Sequence, residues 1–318
     1  MKRLWTLLLK TVVSVSFVYI IVKKIDISAM ALILKNVSIP ALLLILLISF
    51  LVTIFIALRW YFILDDFKEK WSFFEIWRLS LIGFYFNVIL PTGAGGDAVK
   101  IIYLTRNQQE RLKLGTSVIF DRFIGFSTII FMAIGSLLFY HGHLPPKLKI
   151  SITGLFILVL MIWVLILNDR FTFFMGKFFP SMVIRQKLKA FYIHLRDYGI
   201  NVKIIINAII VSIIVQFLSI YAQYLSAMLV CQNEINIPFP VFFVFIPIIW
   251  LSSMIPSLGG LGIREYGYLF FFQSYLGKDM AIAFSLINLL LIFFQAFLGA
   301  VVFLFFRLKK QQNLENNN

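Results

Sequence analysis

The chain has 318 residues, 61% of them hydrophobic and 14% charged, and a mean hydropathy of +0.95. A soluble domain is about half apolar and a quarter charged, so these values exclude one and point to an all-α polytopic membrane protein. The single cysteine, Cys231, excludes an intramolecular disulfide framework and a zinc-type cysteine cluster. The net charge of +15 reads as membrane topology and contact with anionic headgroups, since no nucleic-acid module accompanies it.

The first apolar run follows Lys2 and Arg3, is interrupted by Lys10 and has no small-residue cleavage site after it. It therefore predicts a retained span over 4–22, not a signal peptide. A second span covers 39–64 and carries Arg59 beside Trp60 and Tyr61. The apolar stretch 73–90 then runs into Leu90-Pro91-Thr92-Gly93-Ala94-Gly95-Gly96-Asp97. Spans over 115–140, with Asp121-Arg122 inside it, and 148–168 follow. His141 and His143 flank a loop glycine and, with His194, form no metal-ligand pattern. The stretch 169–203 holds seven Lys/Arg against Asp169 and Asp197, which predicts a basic amphipathic helix on the cytoplasmic membrane surface. After a span over 204–230, the stretch 238–255 meets a second break, Pro256-Ser257-Leu258-Gly259-Gly260-Leu261-Gly262-Ile263-Arg264-Glu265. A last span covers 280–306, and 311–318 reads as a disordered polar tail. Residues 1–310 thus form a single integral membrane domain with eight hydrophobic segments.

Positive charge decides whether the two broken segments cross. If both turn back, 20 of the 29 Lys/Arg lie on the cytoplasmic side with the two termini, six lie outside, and Arg59, Arg122 and Arg264 stay at membrane depth. Lys100, Arg106, Arg111 and Lys113 then belong to a cytoplasmic loop. If both cross, the bias reverses, against the positive-inside rule. The expected architecture is six spans plus two oppositely oriented re-entrant hairpins, an inverted repeat.

Proline and paired glycines break helices, and broken backbone at membrane depth marks a protein-lined or water-filled site. A helix starting there offers free N–H groups and a positive dipole end to an anion such as a lipid phosphate. Gly95-Gly96 and Gly259-Gly260 would let the backbone approach a headgroup, and Arg264 would add a bidentate phosphate donor. Asp97 and Glu265 would provide counter-charge or carry a proton. Structural readings stand beside these. Arg59 also fits an interfacial aromatic belt, Asp97 a cap for a helix starting at Ala98, and Asp121 and Arg122 salt bridges to other elements. Adjacent on a helix, Asp121 and Arg122 point about 100° apart and are not expected to pair with each other. Asn87, Gln216, Gln223 and Gln295 fit either a polar path or interhelical hydrogen bonds. No nucleophile–base arrangement and no phosphate-loop motif is present.

Leu58-Arg59-Trp60, the Pro91–Asp97 segment, Asp121-Arg122 and the Pro256–Glu265 segment resemble the lysylphosphatidylglycerol synthase transmembrane-region family over essentially the whole chain. The resemblance implies a flippase-like lipid-handling role and a part in it for Arg59, Asp97, Asp121, Arg122, Arg264 and Glu265. It also implies a bacterial host. The aminoacyl-transferase domain of two-domain members has no counterpart here, so lysyl-lipid synthesis is not expected.

The leading expectation is a transporter in the cytoplasmic membrane, without cofactor or metal, that moves a phosphate-bearing lipid headgroup. Its site is drawn from Arg59, Pro91, Gly95, Gly96, Asp97, Asp121, Arg122, Pro256, Gly259, Gly260, Arg264 and Glu265. Its partner is a membrane phospholipid or a polyprenyl-phosphate lipid, and a homo-oligomer is compatible with the sequence. Two alternatives come from other classes. One is a membrane enzyme or subunit acting on polyprenyl-phosphate lipids through a metal at Asp97, Asp121 and Glu265. The other is a scaffold that docks a glycosyltransferase or a lipid-synthesis enzyme through 169–203.

Overall fold

The computed structural model describes residues 38–90, 95–106, 110–139, 146–168, 182–231, 237–252 and 263–305. The expected first span, the tail, His141, His143, Pro91, Pro256, Gly259 and Gly260 lie outside them. Among the described residues all regular structure is helical. The helices are α1 (Ile39–Ile63), α2 (Phe73–Ile89), α3 (Gly95–Thr105), α4 (Arg111–Phe139), α5 (Pro146–Leu167), α6 (Met182–Ile200), α7 (Val202–Val230), α8 (Phe239–Ser252), α9 (Ile263–Leu276) and α10 (Lys278–Phe305). A 3-10 turn, Asp65–Phe67, sits between α1 and α2. The chain is an all-α polytopic membrane protein: α1, α4, α5, α7 and α10 are each long and apolar enough to cross a bilayer. They leave Leu47, Leu158, Met161, Val164 and Ile210 exposed, a surface suited to hydrocarbon and unsuited to water.

Local signals set the helix boundaries. Ser72 and Glu75 form a capping box at the start of α2, with Ser72 N donating to Glu75 Oε2 at 2.9 Å. Asn201 Oδ1 accepts from Ile204 N at 3.2 Å to open α7. One residue, Gly277, separates α9 from α10. Its φ of 76° is the left-handed conformation a side chain would strain.

Two four-helix units, α1–α4 and α7–α10, share one pattern of neighbours. Within each, the second helix packs on the third and the third on the fourth. Between them, α2 packs on α10 as α8 packs on α4, and α1 lies against its counterpart α7. The units run in opposite directions. Lys203 at the start of α7 reaches Asp65 beyond the end of α1 at 3.3 Å, so these equivalent helices are antiparallel.

The contacts also place both hairpins. Asp66, just after α1, accepts from Lys113 at the start of α4 at 2.6 Å. The α2–α3 pair therefore leaves and returns at one end of the bundle. Ala227, Cys231 and Ile237, around the end of α7, share a core with Leu276 and Ala281, around the start of α10. The α8–α9 pair returns at the opposite end, so the two hairpins point in opposite directions along the bundle.

Helix α6 covers part of the basic stretch, and its side chains engage protein. Tyr192 Oη donates within a group of three carbonyls at the end of α5, those of Leu165 (2.5 Å), Asn168 (2.7 Å) and Ile166 (3.2 Å). Tyr198 stacks on Phe120 of α4 with ring centroids 5.6 Å apart. Part of the apolar face of α6 is thus spent on α4 and α5, while Ile193 and Ile200 stay exposed.

Candidate functional site

A charged side chain in hydrocarbon costs roughly 2.5–3.5 kcal/mol on insertion scales, so buried ions must find partners. Arg59 of α1 is 6% exposed. Its Nε donates to Asp121 Oδ1 at 2.7 Å and its Nη2 to Asp121 Oδ2 at 3.1 Å. Its Nη1 donates to Ser212 Oγ on α7 at 2.9 Å. This planar fork is geometry that only arginine supplies. The space for it comes from Gly125, where a Cβ would stand 2.9 Å from Nη1. Arg59 therefore does not snorkel in an aromatic belt. Neighbouring Trp60 is also buried, with Nε1 donating to Ser117 Oγ at 3.1 Å.

Arg122, the other half of the Asp121-Arg122 pair, turns to a different partner and binds Asp97 through its Nε. The two adjacent residues thus pair with separate elements, as their helical angle requires. Asp97 is not the cap of a helix beginning at Ala98. Helix α3 begins at Gly95, and Asp97 lies inside its first turn, where a carboxylate meets the positive end of the helix dipole.

Lys100 corrects the charge map. Counted in a cytoplasmic loop, it is in α3 and 7% exposed. Its Nζ lies 3.6 Å from Asp97 Oδ1 and 5.3 Å from the centre of the Trp60 ring. Gly83 of α2 makes room for its stem: a Cβ there would stand 2.5 Å from Lys100 Cε. Gly96 also has a packing role in place of an approach to a ligand. A Cβ on it would fall 2.0 Å from Gly83 O, and its N–H already donates to Asn87 Oδ1 at 2.8 Å. Gly95 faces Leu90 in the same tight crossing.

These charges edge a cavity of about 380 Å³ between the two repeat units. Every helix of both units contributes to its lining, and Arg59, Lys100, Asp121 and Arg122 are on its wall. Three cations, Arg59, Lys100 and Arg122, stand against two carboxylates, Asp97 and Asp121. The cluster carries a surplus positive charge in a low-dielectric setting, which favours an anion. Asn87, Gln216, Gln223, Asn288 and Gln295 bring amides, and Phe84, Phe126, Ile129, Trp250 and Leu291 give apolar surface. This mixture suits a ligand with both a charged and an apolar part.

Arg264 and Glu265 stand apart from this lining. Arg264 is 5% exposed, and its Nη2 donates to Glu265 Oε1 at 2.9 Å. Arg264 Nε is buried without a hydrogen-bond partner among the described residues. One turn further along α9, Tyr268 does line the cavity and donates to Gln223 Oε1 at 3.0 Å. The metal-dependent reading asked Asp97, Asp121 and Glu265 to converge. Each is instead engaged by an arginine, and among the described residues no three His, Cys, Asp or Glu are grouped to hold a metal.

Sequence reasoning missed Lys100, Ser212, Asn288 and the two cradle glycines, Gly83 and Gly125. For Lys100 a signal was present: it lies three residues after Asp97, on the same helical face.

A family model described as "Lysylphosphatidylglycerol synthase TM region" matches residues 7–306 of the chain. No curated protein and no solved structure matches it.

Proposed function

The chain belongs to the lysylphosphatidylglycerol synthase TM region family, and from that premise we propose that it is a flippase-like transporter that carries a phosphate-bearing lipid headgroup across the cytoplasmic membrane, with both termini on the cytoplasmic side. The substrate is a phospholipid or a polyprenyl-phosphate lipid. The observation that carries the reading is the net-positive charge cluster on the wall of a cavity lined by both halves of an inverted repeat. Sites between such repeats serve alternating access, in which one half rocks against the other around a fixed binding position.

In this mechanism the phosphate oxygens accept from Lys100 and Arg122. Both line the cavity, and both meet a single carboxylate, Asp97. Arg59 is held by a bidentate partner and stays in place as the fixed positive background. An arriving phosphate competes with Asp97 for the two cations, and its departure restores the ion pairs. The resting cations are thereby partly balanced, and the remaining positive charge stays open to an anion.

The test is headgroup translocation in proteoliposomes for a panel of fluorescent phospholipids and a polyprenyl-phosphate lipid, comparing wild type with Lys100→Met. Wild type is expected to move at least one phosphate-bearing lipid, and the variant to lose about tenfold or more in rate while still inserting, the loss of one charged hydrogen bond. Failure of folded wild type to move any lipid, or equal rates for the two proteins, overturns the reading.

A further inference from the structure

Three amides on the second repeat unit line the same cavity: Gln216 of α7, and Asn288 and Gln295 of α10. Each donates its N–H to a backbone carbonyl. Gln216 Nε2 donates to Gly125 O at 3.0 Å, Asn288 Nδ2 to Phe284 O at 2.8 Å, and Gln295 Nε2 to Ser49 O at 3.4 Å as well as Ser49 Oγ at 3.0 Å. A carbonyl only accepts, so the orientation of each amide is fixed. Each oxygen is left as an acceptor, and Gln216 and Asn288 keep a second N–H as well. Asn288 shows this most sharply: the residue is 1% exposed, and its Oδ1 is buried with no hydrogen-bond partner among the described residues. A buried acceptor without a partner costs stability, and its retention calls for a reason.

The first unit presents the reverse. Asn87 Oδ1 is taken by Gly96 N, which leaves its N–H groups beside the cations Arg59, Lys100 and Arg122. Gln223 is the exception on the second unit, since its oxygen accepts from Tyr268. The cavity thus takes its charged groups from one repeat, and from the other only neutral ones, among them the three amide oxygens.

We propose that Gln216, Asn288 and Gln295 form a hydroxyl-reading subsite, so that the lipid taken by this cavity carries an uncharged polyol beyond its phosphate, with Asn288 as the selecting residue. This deepens the transport reading and rests on its assignment of the cavity to a phosphate-bearing lipid. A hydroxyl donates to an amide oxygen without bringing charge. An ammonium headgroup would enter a cluster that already has surplus positive charge, and both of its carboxylates are held by arginine. Asn288 and Gln295 are seven residues apart, about 10 Å along one helical face.

The experiment measures binding of short-chain lipids with inositol, glycerol and ethanolamine headgroups, and of phosphatidic acid, to the purified full-length chain and to Asn288→Leu. The polyol lipids are expected to bind wild type about tenfold more tightly than the ethanolamine lipid, the worth of one good hydrogen bond. Asn288→Leu is expected to bring that ratio close to one and to raise the melting temperature of the ligand-free protein, because an orphaned acceptor is removed. Gln295→Met reads the same ratio from a second position. Equal binding of the lipids by wild type, an unchanged ratio in both variants, or a lowered melting temperature in Asn288→Leu overturns the proposal. A wild type that selects polyol lipids in binding yet translocates none would overturn transport and leave the subsite standing.

Discussion

Two clusters of ion pairs sit at different depths of this molecule. At one end of the bundle, Asp65 meets Lys68 and Lys203, Asp66 meets Lys113, and Lys70 lies 3.7 Å from Glu110. At its centre, Arg59 holds Asp121, and Arg122 and Lys100 share Asp97. The side chains of Lys203 and Asp66 are 71% and 57% exposed, whereas those of Arg59 and Asp121 are 7% and 6% exposed. The end cluster is built from lysines, which are flexible point charges that water can replace. The central pair uses a fork, a cradle glycine and a third hydrogen bond to Ser212. Water cannot substitute in the centre, so geometry must.

The largest effect expected from breaking this contrast is at the central pair. Asp121→Ala leaves the Arg59 guanidinium buried without its carboxylate, and removing one partner of such a pair costs about 3–5 kcal/mol. Loss of inserted, folded protein in a detergent melting assay is the expected readout. The double variant Arg59→Met/Asp121→Leu removes both charges and should recover most of that stability. It should not recover transport. Next comes the crossing beneath Lys100. Gly96→Ala puts a Cβ 2.0 Å from Gly83 O, which is backbone and cannot rotate away. Overpacking of this kind costs about 1–3 kcal/mol. It should also shift α3 and move Lys100 off Trp60, seen as a change in Trp60 fluorescence in a variant whose other tryptophans are replaced. A melting temperature equal to wild type would show that α2 and α3 can separate freely.

Much of the fold was legible because its signals are local. Runs of apolar residues gave the five spans among the described residues, whereas the paired glycines Gly95-Gly96 lie inside α3 instead of breaking it. The bias of Lys and Arg gave the turning-back of both hairpins, which the Asp66–Lys113 contact matches for the first and the core shared by Ala227 and Ala281 for the second. The site was legible only in part. Arg59 and Asp121 are 62 residues apart, and nothing in either segment says that they meet. Lys100 was read as a loop cation because the charge count grouped it with Arg106, Arg111 and Lys113; α3 runs on to Thr105 and carries Lys100 in the core. Gly83 and Gly125 looked like ordinary residues of apolar helices, and their use as cradles depends on what crosses them. The two breaks look alike in sequence, yet the structure uses their charges differently. Asp97 joins the central cluster, whereas Arg264 and Glu265 close on each other. Pairing in three dimensions, which residue spacing does not encode, makes that difference.

The smallest effect should come from the end cluster, and pH separates it from the centre. The Lys68 ammonium, hydrogen-bonded to Asp65, holds that carboxyl below its ordinary value of 3.8 against the opposing pull of burial, with Lys203 adding to the effect. A carboxyl whose pKa is depressed on folding contributes stability that is fully present above its unfolded value. The contribution is lost as pH falls through the lower, folded value. Asp65→Asn should therefore cost at most about 1 kcal/mol at neutral pH, as exposed pairs do. The difference from wild type should shrink as pH drops below 4 and should shrink also with added salt, since screening acts on exposed charges. Melting curves of both proteins across pH 3–7, at low and high ionic strength, check this. If Asp65→Asn instead costs as much as Asp121→Ala, and salt leaves the loss untouched, the end cluster is a second buried centre. The depth contrast between the two clusters would then be wrong.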